Sequence, residues 1–208
     1  MKLYCFAQSG NAYKVANYLN VAGIPWQQEF VDFFAGETRS PKYLAINEMG
    51  EVPVMKDGDI TLSQSGVILD YLVGKTGYFA PAPNDTSEVL RWVLWDNHKG
   101  SSQFGMTRFI NNFLAEKHRN ADVIAFSMGR CRAALTTLNA HLENRDWMVG
   151  NTPTTADFSC SGYLFYDEPF GMERSNYPHI EAWLENIRQL PNWKHPYDLM
   201  QGHPLPQN

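Results

Sequence analysis

The chain has few cysteines, and this excludes two classes of small protein. Among its 208 residues, cysteine occurs only at positions 5, 131 and 160. The number is odd and no CxxC pair occurs, so neither a disulfide framework nor a thiolate metal site is predicted. The six histidines show no HxH or HExxH spacing either, and we predict no metal ligands.

Long apolar runs and an excess of basic residues are also missing. No stretch approaches the roughly 20 apolar residues of a membrane helix, and residues 1–8 lack the charged and apolar regions of a signal peptide. The 17 basic and 22 acidic residues leave a net charge of −5, which disfavours binding to phosphate backbones and anionic lipids. We therefore expect a soluble cytoplasmic protein with no nucleic-acid or membrane partner.

Apolar residues make up 44% of the chain, and their pattern changes near residue 80. Residues 1–78 alternate short strand-like runs with helical runs in the order β-α-β-α-β-β-α, which is typical of an α/β domain. Residues 79–85 contain two prolines and predict a linker. Residues 86–208 are helical in pattern almost throughout, so we predict an all-α bundle.

The first domain contains two local signals. Asp57-Gly58 lies between two short apolar runs and predicts a hairpin turn, because both central positions of such a turn favour positive φ. Ser63 is available to cap the helix that follows. Strands are predicted at 2–6, 28–33, 52–56 and 59–62, and helices at 11–22, 41–46 and around 67–72.

The second half predicts helices at 86–117, 122–143, 157–166 and 180–189. Gly100 and Gly105 lie inside the first, where each glycine costs about 1 kcal/mol relative to alanine, so we expect a bend or a close approach. Thr154 and Asp157 have the spacing of a capping box. We assign this pair to folding rather than to function.

Four motifs in this arrangement resemble the cytosolic glutathione S-transferases, in particular the bacterial type and the serine-dependent branch. They are SGNAYKV at 9–15, GETRSP at 36–41 with NEMGEVPV at 47–54, LSQSGVILDYL at 62–72 and PTTADFS at 153–159. They follow the family's order and spacing over nearly the whole chain. The resemblance implies a thioredoxin-like domain at 1–78 that binds glutathione, an all-helical domain at 86–208 that contributes the acceptor pocket, and a homodimer.

A glutathione enzyme must lower the pKa of a thiol from about 8.5, and a hydroxyl or the free amides at a helix N-terminus can do so. Ser9 lies between the first strand and the first helix, and the resemblance makes it the thiol-activating residue. Its alternative role is that of a helix cap. Asn11 is a second candidate donor. Cys5 is either a redox residue or a small apolar one.

The resemblance also implies a cis peptide before Pro53, with the Val52 amide and carbonyl pairing with the cysteinyl backbone of glutathione. A trans proline at a strand start is the alternative, because proline cannot donate to a β-ladder. Glu51 stands where the family pattern has Gln, Lys or Arg. Its contact with the glycine carboxylate of glutathione is therefore an open question.

Gln64 and Ser65 open the third helix, where a hydroxyl, free amides and the positive end of the helix dipole form a carboxylate site. The resemblance implies that Ser65 binds the α-carboxylate of the γ-glutamyl group and that Gln64 faces its α-ammonium. The alternative for Ser65 is that it only caps the helix. Arg39 would reach the glycine carboxylate, or would be a solvated loop residue.

The predicted function is a glutathione transferase, in which the glutathione thiolate attacks an electrophilic carbon of a small hydrophobic acceptor. Glutathione is the co-substrate, and no metal or nucleotide cofactor is expected. Two alternatives stay open: a glutathione-dependent disulfide reductase or peroxidase, and a non-catalytic binding or interaction protein. Asp96 is a candidate for reaching across the dimer interface to the ligand's ammonium. Possible walls of the acceptor pocket are Phe104, Met106, Arg108 and Phe109, but aromatic and methionine side chains at helical spacing are more often part of the core.

Overall fold

The protein divides into two units, one built on a sheet and one built of helices. The computed structural model describes residues 1–204. The first unit contains Met1–Ala80 together with residues 190–204, and the second contains Pro81–Gln189. The division after Ala80 lies inside the stretch predicted to be a linker.

The first unit has a four-stranded mixed sheet in the order β2-β1-β3-β4. β1 and β2 are parallel, so the chain must cross over between them, and α1 provides that crossover. β3 is antiparallel to both of its neighbours. The order β-α-β-α-β-β-α and the thioredoxin-like class are confirmed. The elements are β1 Lys2–Cys5, α1 Gly10–Val21, β2 Gln27–Phe30, α2 Pro41–Leu44, β3 Val54–Asp57, β4 Ile60–Ser63 and α3 Ser65–Thr76.

The predicted strands at 28–33 and 52–56 each lose part of their range at one end, for a local reason. β2 stops at Phe30, and shortly beyond it the Asp32 N–H donates to Glu37 Oε2 at 2.7 Å instead of continuing the ladder. β3 begins at Val54, after a proline that has no N–H to donate. Both ends leave the sheet at the edge where the candidate site lies.

The predicted hairpin forms, but its turn lies one residue later than expected. Asp57 pairs with Ile60, so the two central residues are Gly58 and Asp59. Of these two central residues, only Gly58 has a positive φ, at 60°. Positive φ at the first central position alone is the pattern of a type II′ turn, which requires glycine there.

The C-terminal stretch corrects the predicted domain boundary. Residues 190–204 belong to the first unit, although the pattern had assigned 86–208 to the helical domain. α9, Pro196–Leu199, packs on α1, and the Tyr13 hydroxyl donates to the Lys194 carbonyl at 2.9 Å. These contacts are polar or involve single residues, so they leave no apolar period in the sequence. Residues 205–208 of the predicted domain lie outside the described residues.

The helical unit does not contain the single long helix predicted at 86–117. A π-helical turn over Asp96–Gly100 interrupts it. The expected close approaches are confirmed, since a Cβ at Gly100 would lie 2.7 Å from Asp96 Oδ1 and one at Gly105 2.9 Å from the Tyr163 ring. The α-helices of this unit are α4 Thr86–Trp95, α5 Ser101–Asn112, α6 Ala121–His141, α7 Thr155–Ser161 and α8 Pro178–Arg188. Within residues 1–204, no helix has the length and apolar character needed to cross a membrane.

The capping box at the start of α7 forms as predicted, and its acid is buried. Asp157 Oδ2 accepts from the Thr154 N–H at 2.8 Å, and Oδ1 accepts from the Met148 N–H and the Trp183 indole, each at 2.8 Å. Burial raises the pKa of Asp157 to about 6, and these hydrogen bonds oppose the shift. At neutral pH the carboxylate therefore ties the start of α7 to two other segments of the unit.

We expect Asp157→Ala to destabilise the protein without changing glutathione affinity in the folded fraction. The change leaves buried N–H groups of Met148 and Trp183 without an acceptor, and a loss of about 2 kcal/mol or more is expected. Thermal unfolding and calorimetric titration with glutathione measure the two effects separately. An unchanged melting midpoint would contradict the folding role.

Candidate functional site

The strand register brings the predicted site residues to one edge of the sheet. Tyr4 of β1 lies opposite Val54 of β3, and Val54 lies opposite Ser63 of β4. Because β3 runs antiparallel to both neighbours, the end of β1, the start of β3 and the end of β4 meet at this edge. The predicted residues in the adjoining segments are Ser9, Val52, Pro53, Gln64 and Ser65.

Ser9 is the N-cap of α1 and uses its hydroxyl as a cap. Oγ accepts a hydrogen bond from the Ala12 N–H at 3.2 Å, and the residue is 7% exposed. Accepting this bond uses one lone pair and leaves the O–H hydrogen for an anion. The amides of Gly10 and Asn11, in the first turn of α1, have no intrahelical acceptor. The capping role and a thiol-activating role are therefore compatible in one residue.

Asn11 and Cys5 lie in different surroundings. Among the described residues, the Asn11 Oδ1 atom is buried and has no hydrogen-bond partner. Cys5 is fully buried on β1, and burial raises the pKa of its thiol to about 12. A thiol that stays protonated at neutral pH is a poor nucleophile. The structure thus favours the apolar packing role for Cys5.

The Val52–Pro53 peptide is cis, as the resemblance implied. The cis peptide comes directly before β3, so Val52 lies outside the ladder of the sheet. Within residues 1–204, neither the amide nor the carbonyl of Val52 has a hydrogen-bond partner. An extended peptide can therefore pair with Val52 as a short added strand.

Two residues that the sequence interpretation missed hold the backbone before this peptide. The Tyr43 hydroxyl and the Asn47 side-chain amide both donate to the Glu51 carbonyl, each at 2.9 Å. Both side chains are buried, and Tyr43 packs in a cluster with Val54. Asn47 belongs to the NEMGEVPV motif, but nothing in the sequence indicated that its side-chain amide would donate to the backbone carbonyl four residues further along the chain.

The N-terminus of α3 has no side-chain cap. Gln64 occupies the cap position with φ 68° and ψ 115°, and Ser63, the expected cap, makes no capping bond. Backbone strain of this kind in a residue other than glycine is concentrated at functional sites. Ser65 begins the helix, is 8% exposed, and contributes a hydroxyl beside the unpaired first amides. This helix end is therefore suited to a carboxylate.

Glu51 contacts the α3 end of the site. Its Oε2 accepts from Gln64 Nε2 at 3.0 Å. Because Nε2 points at the carboxylate, the Gln64 Oε1 atom is left to accept from a ligand. The two side chains together place oxygen acceptors beside the positive end of a helix, an arrangement suited to an amino acid zwitterion.

Arg39 ends a 3₁₀ turn over Glu37–Arg39 and is exposed. Within the described residues it has no ion pair or hydrogen bond through its side chain. The structure therefore places Arg39 in the loop after β2, and it does not bring Arg39 into contact with the other site residues.

The helical unit corrects the expectation for Asp96 and places the candidate pocket residues. Asp96 is 1% exposed, and its carboxylate accepts from the hydroxyls of Ser101 at 2.8 Å and Ser159 at 2.7 Å. It is committed to the interior of its own unit and does not reach a ligand. Arg108, expected in a pocket wall, is buried beside Glu168, with the two charged groups 3.1 Å apart. Phe104 is also buried, whereas Met106 is exposed.

Together the edge residues can bind a small peptide that carries an anionic group. The α3 end accepts a carboxylate, Val52 pairs with an extended backbone, and the α1 end offers donors to a third, negatively charged atom. Among residues 1–204, no group of acidic, histidine or cysteine side chains is arranged to hold a metal ion.

Two family models match the chain. Residues 1–74 match the glutathione S-transferase N-terminal domain, and residues 100–191 match the glutathione S-transferase C-terminal domain. The chain belongs to the glutathione S-transferase family. The serine-dependent branch stays a prediction.

Similar proteins come from plants and bacteria. A probable glutathione S-transferase, GSTF1, from Oryza sativa subsp. japonica is 26% identical, and the match covers 93% of this chain and 94% of the relative. The disulfide-bond oxidoreductase YfcG of Escherichia coli K12 is 25% identical, with 89% of each chain covered. A crystal structure of a glutathione S-transferase from Pseudomonas fluorescens is 28% identical, with a TM-score of 0.85 and with 93% of this chain and 96% of that one covered.

The contact between Glu51 and Gln64 separates a hydrogen-bonding role from a charge role. We expect Glu51→Ala to weaken glutathione binding about fivefold, because Gln64 loses a bond worth about 1 kcal/mol. Glu51→Gln keeps an acceptor for Gln64 and should bind within about twofold of the wild type. Calorimetric titration with glutathione measures both variants. Equal weakening in the two would show that the charge of Glu51, and not its bond to Gln64, supports binding.

Proposed function

We propose that this family member is a glutathione transferase that holds glutathione at the sheet edge and stabilises its thiolate for attack on a hydrophobic electrophile. The observation that carries the proposal is the register of Tyr4, Val54 and Ser63. This register brings three features to one edge of the sheet: the uncapped start of α3, the unpaired backbone of Val52, and the serine that caps α1. Glutathione offers a matching group to each of them.

Each part of glutathione has a residue in this proposal. The γ-glutamyl α-carboxylate binds Ser65 and the first amides of α3, and the α-ammonium faces Gln64. The cysteinyl backbone pairs with Val52, beside the cis Pro53. Arg39 is proposed for the glycine carboxylate, since its guanidinium is exposed and matches that group in geometry.

Thiol activation would take place at the start of α1. The Ser9 O–H donates to the sulfur, and the amides of Gly10 and Asn11 add partial positive charge. Each unit by which the thiol pKa falls requires about 1.4 kcal/mol of preferential stabilisation of the thiolate. The thiol proton passes to solvent. The sulfur lone pair then forms the new S–C bond, and the bond from that carbon to the leaving group breaks, so that the leaving group departs with its electron pair, as chloride does from chlorodinitrobenzene.

A disulfide reductase is the second candidate, because the relative from E. coli is named a disulfide-bond oxidoreductase. The same bound thiolate would attack one sulfur of a disulfide, expel the other sulfur as a thiolate and form a mixed disulfide. A second glutathione thiolate would then attack the glutathione sulfur of the mixed disulfide, which releases the remaining thiol and leaves the two glutathiones oxidised as glutathione disulfide. Asn11, in the first turn of α1, remains the second candidate donor to the ligand sulfur. A protein cysteine is not needed for this route.

We also propose that the protein is a homodimer and that it is located in the cytoplasm. A homodimer and a cytoplasmic location fit a glutathione enzyme, since glutathione maintains reducing conditions in that compartment. All three cysteines are free and buried, which is compatible with such conditions.

The first test separates turnover from binding. With chlorodinitrobenzene as electrophile, Ser9→Ala should lower kcat about tenfold or more, because the thiolate loses its hydroxyl donor. Ser65→Ala should raise the KM for glutathione about fivefold with kcat nearly unchanged, because a ground-state contact is lost. Steady-state kinetics measure both.

Ser9→Ala also removes a helix cap, so a cap lost elsewhere provides the matched control. Asn120 caps α6 through bonds to the Asp122 and Val123 amides. Asn120→Ala should cost about 1 kcal/mol of stability and leave kcat unchanged, and Ser9→Thr should retain activity. Small and equal effects of Ser9→Ala and Ser65→Ala would refute the assignment.

A second test concerns Cys5 in both candidate reactions. Because this thiol is buried with a raised pKa, we expect Cys5→Ala to retain conjugation of chlorodinitrobenzene and any glutathione-dependent reduction of hydroxyethyl disulfide. The two rates are measured with the same enzyme preparation. Loss of disulfide reduction with conjugation intact would assign a redox role to Cys5.

A further inference from the structure

The C-terminal stretch lies against the turn that leads into Ser9. We call residues 201–203 the brace. The Ala7 N–H donates to the Gln201 carbonyl at 3.0 Å. The turn itself is closed by a bond of 3.1 Å from the Ser9 N–H to the Phe6 carbonyl. The brace therefore bonds directly to the backbone of the turn that Ser9 ends.

Two glutamine side chains hold the brace, each with both ends of its amide. Gln28, on β2, donates from Nε2 to the Gln201 carbonyl at 2.9 Å and accepts at Oε1 from the Gln201 N–H at 2.7 Å. Gln8 likewise donates from Nε2 to the His203 carbonyl at 2.7 Å and accepts at Oε1 from the His203 N–H at 3.1 Å. A side-chain amide that bonds both backbone groups of one residue fixes that residue in position and in orientation.

Gly202 is the point of closest approach. A Cβ there would lie 2.7 Å from Ala7 Cβ and 2.7 Å from Gln8 Oε1. The φ angle of Gly202 lies outside the left-handed region, so alanine would be tolerated by the backbone but not by the space available. The absence of a side chain at 202 is thus what lets the brace lie on the turn.

His203 fixes the end of the brace. Its ring lies 4.6 Å from the Phe34 ring and 5.5 Å from the Phe6 ring, centroid to centroid. Its Nδ1 is 3.6 Å from Asp32 Oδ1. The ring thus joins an aromatic cluster that includes Phe6, the first residue of the turn.

We propose that Gln8, Gln28 and Gly202 are positioning residues for thiol activation, acting through the brace to hold the Phe6–Ser9 turn and the start of α1 in place. The inference rests on the proposed role of Ser9. Stabilising a thiolate with a hydroxyl and two amides depends on donor positions defined to about half an ångström. The proposed glutathione-binding residues are Val52, just before β3, and Ser65, at the start of α3. Neither makes a hydrogen bond to the brace in the described network.

The test is Gly202→Ala, with Gly74→Ala as the matched control. A Cβ at Gly74, in α3, meets nothing within 4 Å, so this change should leave the thiol pKa unchanged, and the alanine should stabilise the helix slightly. Ultraviolet difference titration against pH gives the pKa of the bound glutathione thiol, and calorimetry gives the affinity. We expect Gly202→Ala to raise that thiol pKa by about one unit, a tenfold loss of thiolate below neutral pH. The affinity measured where the thiol is protonated should stay within about twofold.

Gln28→Ala is the second variant, because it loosens the brace without crowding the turn and keeps the test decisive if Gly202→Ala fails to fold. In this variant, too, the pKa of the bound glutathione thiol should be higher than in the wild type. A wild-type thiol pKa that is lowered, but equally lowered in the folded brace variants, would overturn the positioning role and leave the proposed function standing. No thiolate in the wild type below the pKa of free glutathione would overturn both.

Discussion

The pairing of Val54 with Tyr4 on one side and with Ser63 on the other is the constraint on which the site depends. A slip of one residue in either pairing would turn the side chains of that strand to the opposite face. It would also shift the turn before Ser9, the Val52–Pro53 peptide or the start of α3 along the edge. The sheet therefore fixes the spacing between the places where a bound tripeptide would be held, and Tyr43 and Asn47 fix the Glu51 carbonyl next to them.

The site draws on backbone groups more than on charged side chains. The chain has a net charge of −5, yet the starts of α1 and α3 both present unpaired amides at the edge, and such helix ends favour anions. Ser9 caps α1 and keeps its hydroxyl hydrogen, whereas α3 has no side-chain cap. Gln64 has a strained backbone conformation there, and its side-chain amide donates to the Glu51 carboxylate.

The sequence predicted what local chemistry determines. Asp57-Gly58 indicated a hairpin, Thr154 and Asp157 a capping box, and the glycines at 100 and 105 close approaches, because each depends on a residue type at a fixed short spacing. The hairpin turn lies one residue later because a type II′ turn takes glycine at its first central position. The buried Asp96 and the π-helical turn depend on tertiary contacts that no periodicity reveals. The brace was missed for the same reason, since Gln8 and Gln28 hold it through the backbone of distant residues.

A crystal structure of the protein with glutathione tests the central claim most directly. The account predicts the γ-glutamyl carboxylate at the start of α3 beside Ser65, the cysteinyl backbone paired with Val52, and the sulfur within hydrogen-bond distance of Ser9 Oγ, roughly 3.5 Å when sulfur is the acceptor. Glutathione bound with its sulfur away from the start of α1, or bound elsewhere than at this edge, would contradict the account.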